Sequence, residues 1–284
     1  MSTIAFLGTG LLGSAFAEAA AKRGDSVTAW NRTAAKAQAL AAFGVTAHTD
    51  PAAAVRSAVR VHLILKDDAV VEEVIAACRA GLSPDAILID HSTTLPALTA
   101  QRAERFQAEG VKYLHCPVFM GPAAARTAQG SMLVAGPKSL YETVAKELGA
   151  MTGAVKYLGE RADLAAAIKL QGNAMIIGLA AVMADVLTLA QASDIAGQDA
   201  IDLLSLLDLN AMVKGRGMNM AKGNFAASFE LAMARKDVGL MMQAVDQRPM
   251  AALPAIAVRM DQLIAQGHGG EDACVLGFDA VQRR

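Results

Sequence analysis

The stretch Ile4-Ala5-Phe6-Leu7-Gly8-Thr9-Gly10-Leu11-Leu12-Gly13 constrains the fold of this chain more than any other. Four apolar residues run into a glycine-x-glycine-x-x-glycine turn, and Ser14 to Arg23 then has helical composition. A strand buried on both faces reads as an uninterrupted apolar run, so Ile4 to Leu7 is expected to be the first strand of a parallel sheet. Gly8 permits the tight turn, Gly10 leaves room for a pyrophosphate against bare backbone, and Gly13 lets the helix pack close to the strand. Unpaired N–H groups and the positive end of the helix dipole suit a phosphate there. The plainer alternative is a buried strand–helix turn without a ligand.

The following segments repeat the strand–helix alternation. Further strands are expected at Ser26 to Asn31, Val45 to His48, Val61 to Leu65, Ala86 to Asp90, Val111 to His115, Gly130 to Gly136 and Ala154 to Leu158. Asp50-Pro51 has the form of a helix start, with a capping acid and proline in the first turn. Strand-like alternation stops near Gly159. Ala162 to Ser193 reads as one helix, apolar nearly all round and hence buried between domains or subunits. Further helices are expected at 199–207, 211–222, 229–247 and 254–266. The fold class is therefore α/β: an N-terminal Rossmann doubly wound parallel sheet over residues 1–160, then an all-α domain over 161–284 built on a long interdomain helix.

Composition narrows the partners. The 284 residues are 54% hydrophobic and 19% charged with a net charge of −1, which suits a large core and offers no basic field for nucleic acid or an anionic membrane. Cys78, Cys116 and Cys274 are too few and too far apart for a disulfide framework or a metal cluster, so a cytoplasmic setting and no metal site are expected. The N-terminus has no secretory pattern. Ala174 to Ala192 could pass for a membrane span, but Asp185 interrupts it, so a protein-buried helix is expected. The Met- and Leu-rich helical half suggests a homodimer or homotetramer.

Cofactor choice is read at the end of the second strand. An acidic residue there would hold a ribose 2′-hydroxyl. This chain instead has Asn31-Arg32-Thr33, with Lys36 a helical turn later. An arginine fork, a hydroxyl and an ammonium would hold a 2′-phosphate, so NADP(H) is expected over NAD(H), while Thr33 could also cap the next helix. Leu65 and Lys66 end the fourth strand where ligands lie; Lys66-Asp67-Asp68 either lines the cleft or caps a helix. Ser92 and Thr93 follow the fifth strand and either face a ligand or cap the helix at Pro96.

Lys169 and Asn173 are four residues apart on one helical face amid apolar neighbours. From the pattern alone Lys169 serves either proton transfer, its pKa lowered by burial, or an interfacial salt bridge.

Four blocks together resemble the β-hydroxyacid dehydrogenase family, which includes 3-hydroxyisobutyrate dehydrogenases and glyoxylate/succinic semialdehyde reductases. They are Gly8 to Gly13; Asp90-His91-Ser92-Thr93 with Pro96; Lys169-Leu170-Gln171-Gly172-Asn173; and Phe229 with Leu231 and Lys236-Asp237. Gly267 to Asp272 is similar to the family's C-terminal signature, and Asn31-Arg32-Thr33 to its NADP-preferring branch. The resemblance implies interconversion of a 3-hydroxy acid and its semialdehyde or oxo acid, with Lys169 as proton donor and acceptor. It also implies that Asn173 orients substrate, Ser92 and Thr93 face nicotinamide and substrate, and Lys236 contacts the cofactor. Lys236 could equally pair with Asp237 or Asp246. One block departs: where the family's substrate loop has serine-glycine-glycine, this chain has Phe119-Met120-Gly121. Backbone N–H groups could still grip a carboxylate, but the hydroxyl is gone. Phe119 and Met120 either shape a pocket for an apolar or aromatic substituent or point into the core; His115 is expected to be structural. The rivals are an imine reductase-like enzyme, a 6-phosphogluconate-type decarboxylase and a non-catalytic NADPH-binding sensor or scaffold.

Overall fold

The computed structural model describes residues 3–281. They fall into two compact units, Met1–Asn173 and Ala174–Arg284.

The first unit is built on six parallel strands, β1 Thr3–Leu7, β2 Ser26–Trp30, β3 Thr46–His48, β4 Ala58–Leu63, β5 Ile87–Asp90 and β6 Lys112–His115, in the order β3-β2-β1-β4-β5-β6. The chain runs outward from β1 on one side and then crosses to β4 on the other. The gap beyond the carboxyl end of β1 is therefore the switch point where ligands bind such sheets. Helices α1 Leu11–Lys22, α2 Ala34–Gln38, α3 Pro51–Val55, α4 Asp68–Cys78 and α5 Pro96–Ala108 make the crossovers. Asp50 caps α3 as expected, accepting from the N–H groups of Ala52 and Ala53. Two apolar layers sandwich the sheet: Ile4, Phe6, Phe16 and Ile89 on one face, Leu7, Leu63, Leu88 and Phe106 on the other.

A second sheet of three strands, β7 Val118–Phe119, β8 Ser131–Val134 and β9 Ala154–Tyr157, continues the unit with α6 Pro122–Arg126 and α7 Lys138–Gly149. β7 is antiparallel to β8, with Phe119 opposite Ser131. The sequence pattern misses β7, since two residues are too short to show alternation. Buried Glu18 on α1 holds both Lys22 at 2.6 Å and Arg126 at 2.7 Å, which ties α6 to the first helix.

Helix α8, Leu164–Ala192, is the long helix expected from the sequence. The boundary between the two compact units falls inside it. Ala165 and Ile168 pack with Leu133, Ala135, Leu158 and Phe119, so the first turns of α8 belong to the sheet-bearing unit. The rest is largely exposed in the single chain, Met175 at 60% and Ile177 at 68%, although Asp185 and Ala190 are buried. It is the one helix among the described residues long and apolar enough to cross a membrane.

The second unit is helical: α9 Gly197–Leu204, α10 Leu209–Ala221, α11 Leu231–Ala244, α12 Leu253–Leu263 and α13 Phe278–Val281. Two buried carboxylates organise it. Asp185, on α8, accepts from the backbone N–H groups of Ala251, Ala252 and Leu253, the orphan donors at the start of α12. Asp272 accepts from Ser228 Oγ and from the N–H groups of Ser228, Phe229 and Cys274. The stretch Gly267 to Asp272, read as a family signature, thus ends on the carboxylate that ties residues 228–229 to residue 274. Burial raises the Asp185 pKa, but the three N–H donors outweigh it and hold the carboxyl below its ordinary value. A depressed folded pKa contributes stability that is full above the unfolded pKa and fades as pH falls through the folded one. Asp185→Ala is expected to lower unfolding free energy by about 1–3 kcal/mol at neutral pH, measured by urea unfolding, with the gap from wild type closing in acid.

Candidate functional site

The glycine-rich turn leaves β1 at Gly8, whose φ of +99° suits glycine alone. A Cβ on Gly8 would meet the Ile64 carbonyl oxygen at 2.3 Å, and one on Gly13 would meet the Gly8 oxygen at 1.9 Å. Both are required by close backbone approach. At Gly10 nothing lies within 4 Å of an added Cβ, so the bare backbone there opens into free space. Gly10 is the N-cap of α1, and the first intrahelical bond runs from Ser14 N to Gly10 O at 2.9 Å. The N–H groups of Leu11, Leu12 and Gly13 consequently have no helical acceptor.

That free space is a cavity of about 400 Å³, lined by Gly8, Gly10, Leu11, Leu12, Asn31, Arg32, Thr33, Lys36, Leu65 and Lys66 as the sequence led us to expect. Trp30, Ile64, Val70, Glu73 and Val74 line it too and were missed. Helical periodicity after the Asp67 cap could have found the last three. Asn31 braces the turn rather than waiting for a ligand: its Oδ1 accepts from Thr9 N at 3.0 Å and its Nδ2 donates to Thr33 O at 3.1 Å. Thr33 holds the N-cap position of α2 without a side-chain capping bond, which leaves its hydroxyl for the cavity. Lys66 pairs with Asp67 at 3.7 Å; Arg32 and Lys36 have no ion-pair partner among the described residues. A phosphate-bearing dinucleotide fits this donor set: helical N–H groups at one end, an unpaired guanidinium, hydroxyl and ammonium at the other. Thr9, by contrast, is buried and does not line the cavity, and its Oγ1 lacks a partner.

The charged run after β4 divides its work. Asp67 caps α4 by accepting from Val70 N. Asp68 accepts from Leu95 N and pairs with buried Arg102. After β5, Ser92 is buried, and its Oγ accepts from Leu65 N at 3.0 Å. It was expected to face substrate; it instead fixes Leu65 at the cavity wall. Thr94 Oγ1 is committed to Thr99 Oγ1 at 2.7 Å and to His115 Nε2 at 3.2 Å. Neither Ser92 nor Thr93 caps α5, whose N-cap is Leu95. Half-buried Thr93 keeps an uncommitted hydroxyl. His115 is fully buried and also meets Ser92 O at 3.1 Å, a structural use as expected.

A second cluster gathers around Lys169. Its Nζ stands 4.3 Å from the Phe119 ring centroid. Burial lowers its pKa from the ordinary lysine value. Asn173, four residues on, is half-buried on the same helical face. Phe119 ends β7 and Met120 follows it: the first packs toward Lys169 and the Leu133–Ala165 cluster, the second against the sheet core. Of the two alternatives, Met120 takes the core one, while half-buried Phe119 lies beside Lys169. Gly121 is the exposed N-cap of α6. Lys236 lies in the second unit with its Nζ 3.0 Å from Asp237, one of the pairings expected as the alternative to a cofactor contact. No group of metal-ligating side chains occurs among the described residues.

Comparison with known proteins bears on the family and the fold. A family model described as the NAD binding domain of 6-phosphogluconate dehydrogenase matches residues 3–159. Glyoxylate/succinic semialdehyde reductase 1 of Arabidopsis thaliana is 26% identical over 282 residues, covering 98% of this chain and 96% of that protein. The cytokine-like nuclear factor N-PAC of Xenopus tropicalis is 28% identical over 257 residues, 88% of this chain and 48% of that protein; the chain thus spans about half the length of such relatives. The fold is that of a reductive aminase from Aspergillus terreus solved with NADPH and ethyl levulinate, at a TM-score of 0.88, 23% identity and coverage of 99% and 100%. These matches bear out the resemblance to β-hydroxyacid dehydrogenases.

The glycine geometry separates ligand from fold. Gly10→Ala is expected to melt near the wild-type temperature yet bind NADPH at least about tenfold more weakly, its methyl standing in the pyrophosphate's place. Gly13→Ala should fail to fold stably. Thermal melts with fluorescence titration of NADPH check both; unchanged NADPH affinity in Gly10→Ala would contradict the site.

Proposed function

We propose, taking as premise that this chain belongs to the family of the 6-phosphogluconate dehydrogenase NAD binding domain, that it is an NADP(H)-dependent oxidoreductase interconverting a 3-hydroxy acid and its semialdehyde or oxo acid. The observation that carries the reading is Lys169: a half-buried ammonium with no carboxylate partner among the described residues, on one helical face with Asn173. Such a group is poised to exchange a proton rather than to close a salt bridge.

Bound nicotinamide would supply the hydride in reduction and take it back in oxidation. The chain's own residues have the remaining tasks. The turn from Gly8 to Gly13 holds the pyrophosphate, and Arg32, Thr33 and Lys36 hold the 2′-phosphate. Lys169 gives its proton to the carbonyl oxygen in reduction and recovers it in oxidation, with Asn173 orienting that oxygen. Burial brings the lysine pKa toward the range where both directions run. Phe119 replaces the serine hydroxyl of the substrate loop, so we assign a substrate with an apolar or aromatic substituent. The lost hydroxyl also weakens the grip on a carboxylate and favours the second reading, reduction of an imine.

The exposed apolar side chains of α8 to α10 support a homo-oligomer. Ile177 is 68%, Leu203 63% and Leu206 83% exposed, the kind of apolar surface that marks an interaction site where it is contiguous. A second copy suits this surface better than lipid, because Asp185 on the same helix is committed to the backbone of α12. Burial pushes the Cys78 thiol up to about 11 and that of Cys116 well above its ordinary value, consistent with unreactive thiols in a cytoplasmic protein.

Lys169→Ala is expected to keep NADPH affinity and cut turnover about 10²–10⁴-fold; stopped-flow assays over semialdehydes, 3-hydroxy acids and cyclic imines check this, and near-wild-type turnover removes the role. Arg32→Ala should weaken NADPH about tenfold to a hundredfold, as for the loss of a charge-assisted bond, and leave NADH nearly unchanged; equal losses refute the 2′-phosphate assignment. Light scattering should give at least twice the chain mass, and a monomer would contradict the proposed assembly.

A further inference from the structure

Lys169 has an aromatic ring where a buried cation ordinarily has a carboxylate. Its Nζ lies 4.3 Å from the centroid of the Phe119 ring. The same ring rests on Gly172: a Cβ there would fall 2.3 Å from the ring's Cζ and 2.5 Å from its Cε1. Lys169 and Gly172 are three apart and share a face of α8. The ring thus fills a notch in the helix surface directly beside the ammonium. It also packs against the cluster of Leu133, Ala135 and Ala165, none of them charged. Its backbone is fixed by the pairing of Phe119 with Ser131 on β8. Burial lowers the pKa of Lys169 from the ordinary lysine value, and the ring is the group that faces the charge.

We propose that Phe119 is a positioning residue for Lys169: its ring, seated in the notch at Gly172, holds the ammonium in place and favours its charged form. The attraction is between the cation and the negative face of the ring. It ends when the N–H bond breaks and the proton passes to the substrate oxygen, because a neutral amine has no net charge for the quadrupole to hold. The ring therefore favours the proton-loaded state in which a reductase must meet its substrate. The inference rests on Lys169 being the proton donor. It explains why a bulky aromatic side chain faces a glycine on a helix where alanine would be the better helix former.

Protein carrying ¹³C-labelled lysine would be titrated by NMR as the whole chain, without NADPH. Lys169 is identified as the resonance missing from Lys169→Ala. In the wild type this resonance should carry an upfield ring-current shift. Phe119→Leu keeps the bulk and removes the π-face, and should lower the midpoint by about 0.4–1.5 pH units and abolish the ring-current shift. Gly172→Ala forces the ring away without touching it and should do the same, while favouring the helix. The double variant should show no more than either single change, and Phe119→Tyr should restore wild-type behaviour. The pH dependence of kcat should move with the titration while KM for NADPH stays put. A midpoint unmoved in Phe119→Leu, or additive effects in the double variant, overturns the proposal. If Lys169→Ala is inactive and these variants titrate like wild type, this inference alone fails; if Lys169→Ala remains active, the functional reading fails even where the titrations behave as described.

Discussion

The approach of Gly13 to the Gly8 carbonyl is the contact on which the rest of the first unit depends. With 1.9 Å between that oxygen and the place a Cβ would take, helix α1 can start immediately after β1 only if both positions lack side chains. That places the helix's unpaired N–H groups at the sheet's switch point, between the carboxyl ends of β2 and β4. Gly8 is also pressed against Ile64, so the wall of the cavity contributed by β4 is set by the same contact. Packing and anion recognition are here one geometric fact.

Beneath the cavity lies a buried polar layer that holds the strand ends in register. Arg102, 1% exposed, reaches Asp68 at 2.7 Å and Glu72 at 2.8 Å, and fully buried Asp90 accepts from Tyr113 Oη at 2.9 Å and from Ser92 N at 2.9 Å. Removing one partner from such a group leaves an uncompensated buried charge, about 3–5 kcal/mol in comparable cases, so the layer is rigid. Burial keeps the neighbouring histidines neutral: His91 is pushed down to about 4, and His62, in contact with it at 2.9 Å, also falls well below its ordinary value. Ser92 acts through this layer on Leu65. Hydroxyls at the end of β5 thus shape the site mainly by fixing the loop beside it.

Much of this fold is legible in the amino-acid sequence because its causes are local. The turn from Gly8 to Gly13, the apolar strands and the Asp50-Pro51 helix start each carry their cause within a few residues, and so does the non-acidic end of β2 at Asn31-Arg32-Thr33. What stays hidden depends on distant partners. Val118 and Phe119 form a strand only because β8 lies alongside, so their neighbours in the chain do not show which way Phe119 and Met120 point. Asn31 reads as a ligand residue because its partner, Thr9 N, is 22 positions away. The first unit's claim on the start of α8 is likewise invisible, since it rests on packing between Ala165 and the second sheet. Asp185 stands out as a charge in an apolar helix, but its task of capping α12 depends on the fold.

Central to the proposed chemistry is a hydride exchanged with a dinucleotide held by the first unit while Lys169 handles the proton. The most direct measurement follows the label: NADPH deuterated on both faces of nicotinamide C4, incubated with the protein and a panel of semialdehydes with apolar substituents, and the products analysed by mass spectrometry. A hydroxy acid carrying one carbon-bound deuterium is the expected product. Recovery of every substrate unchanged, or a reduced product without the label, would contradict that chemistry.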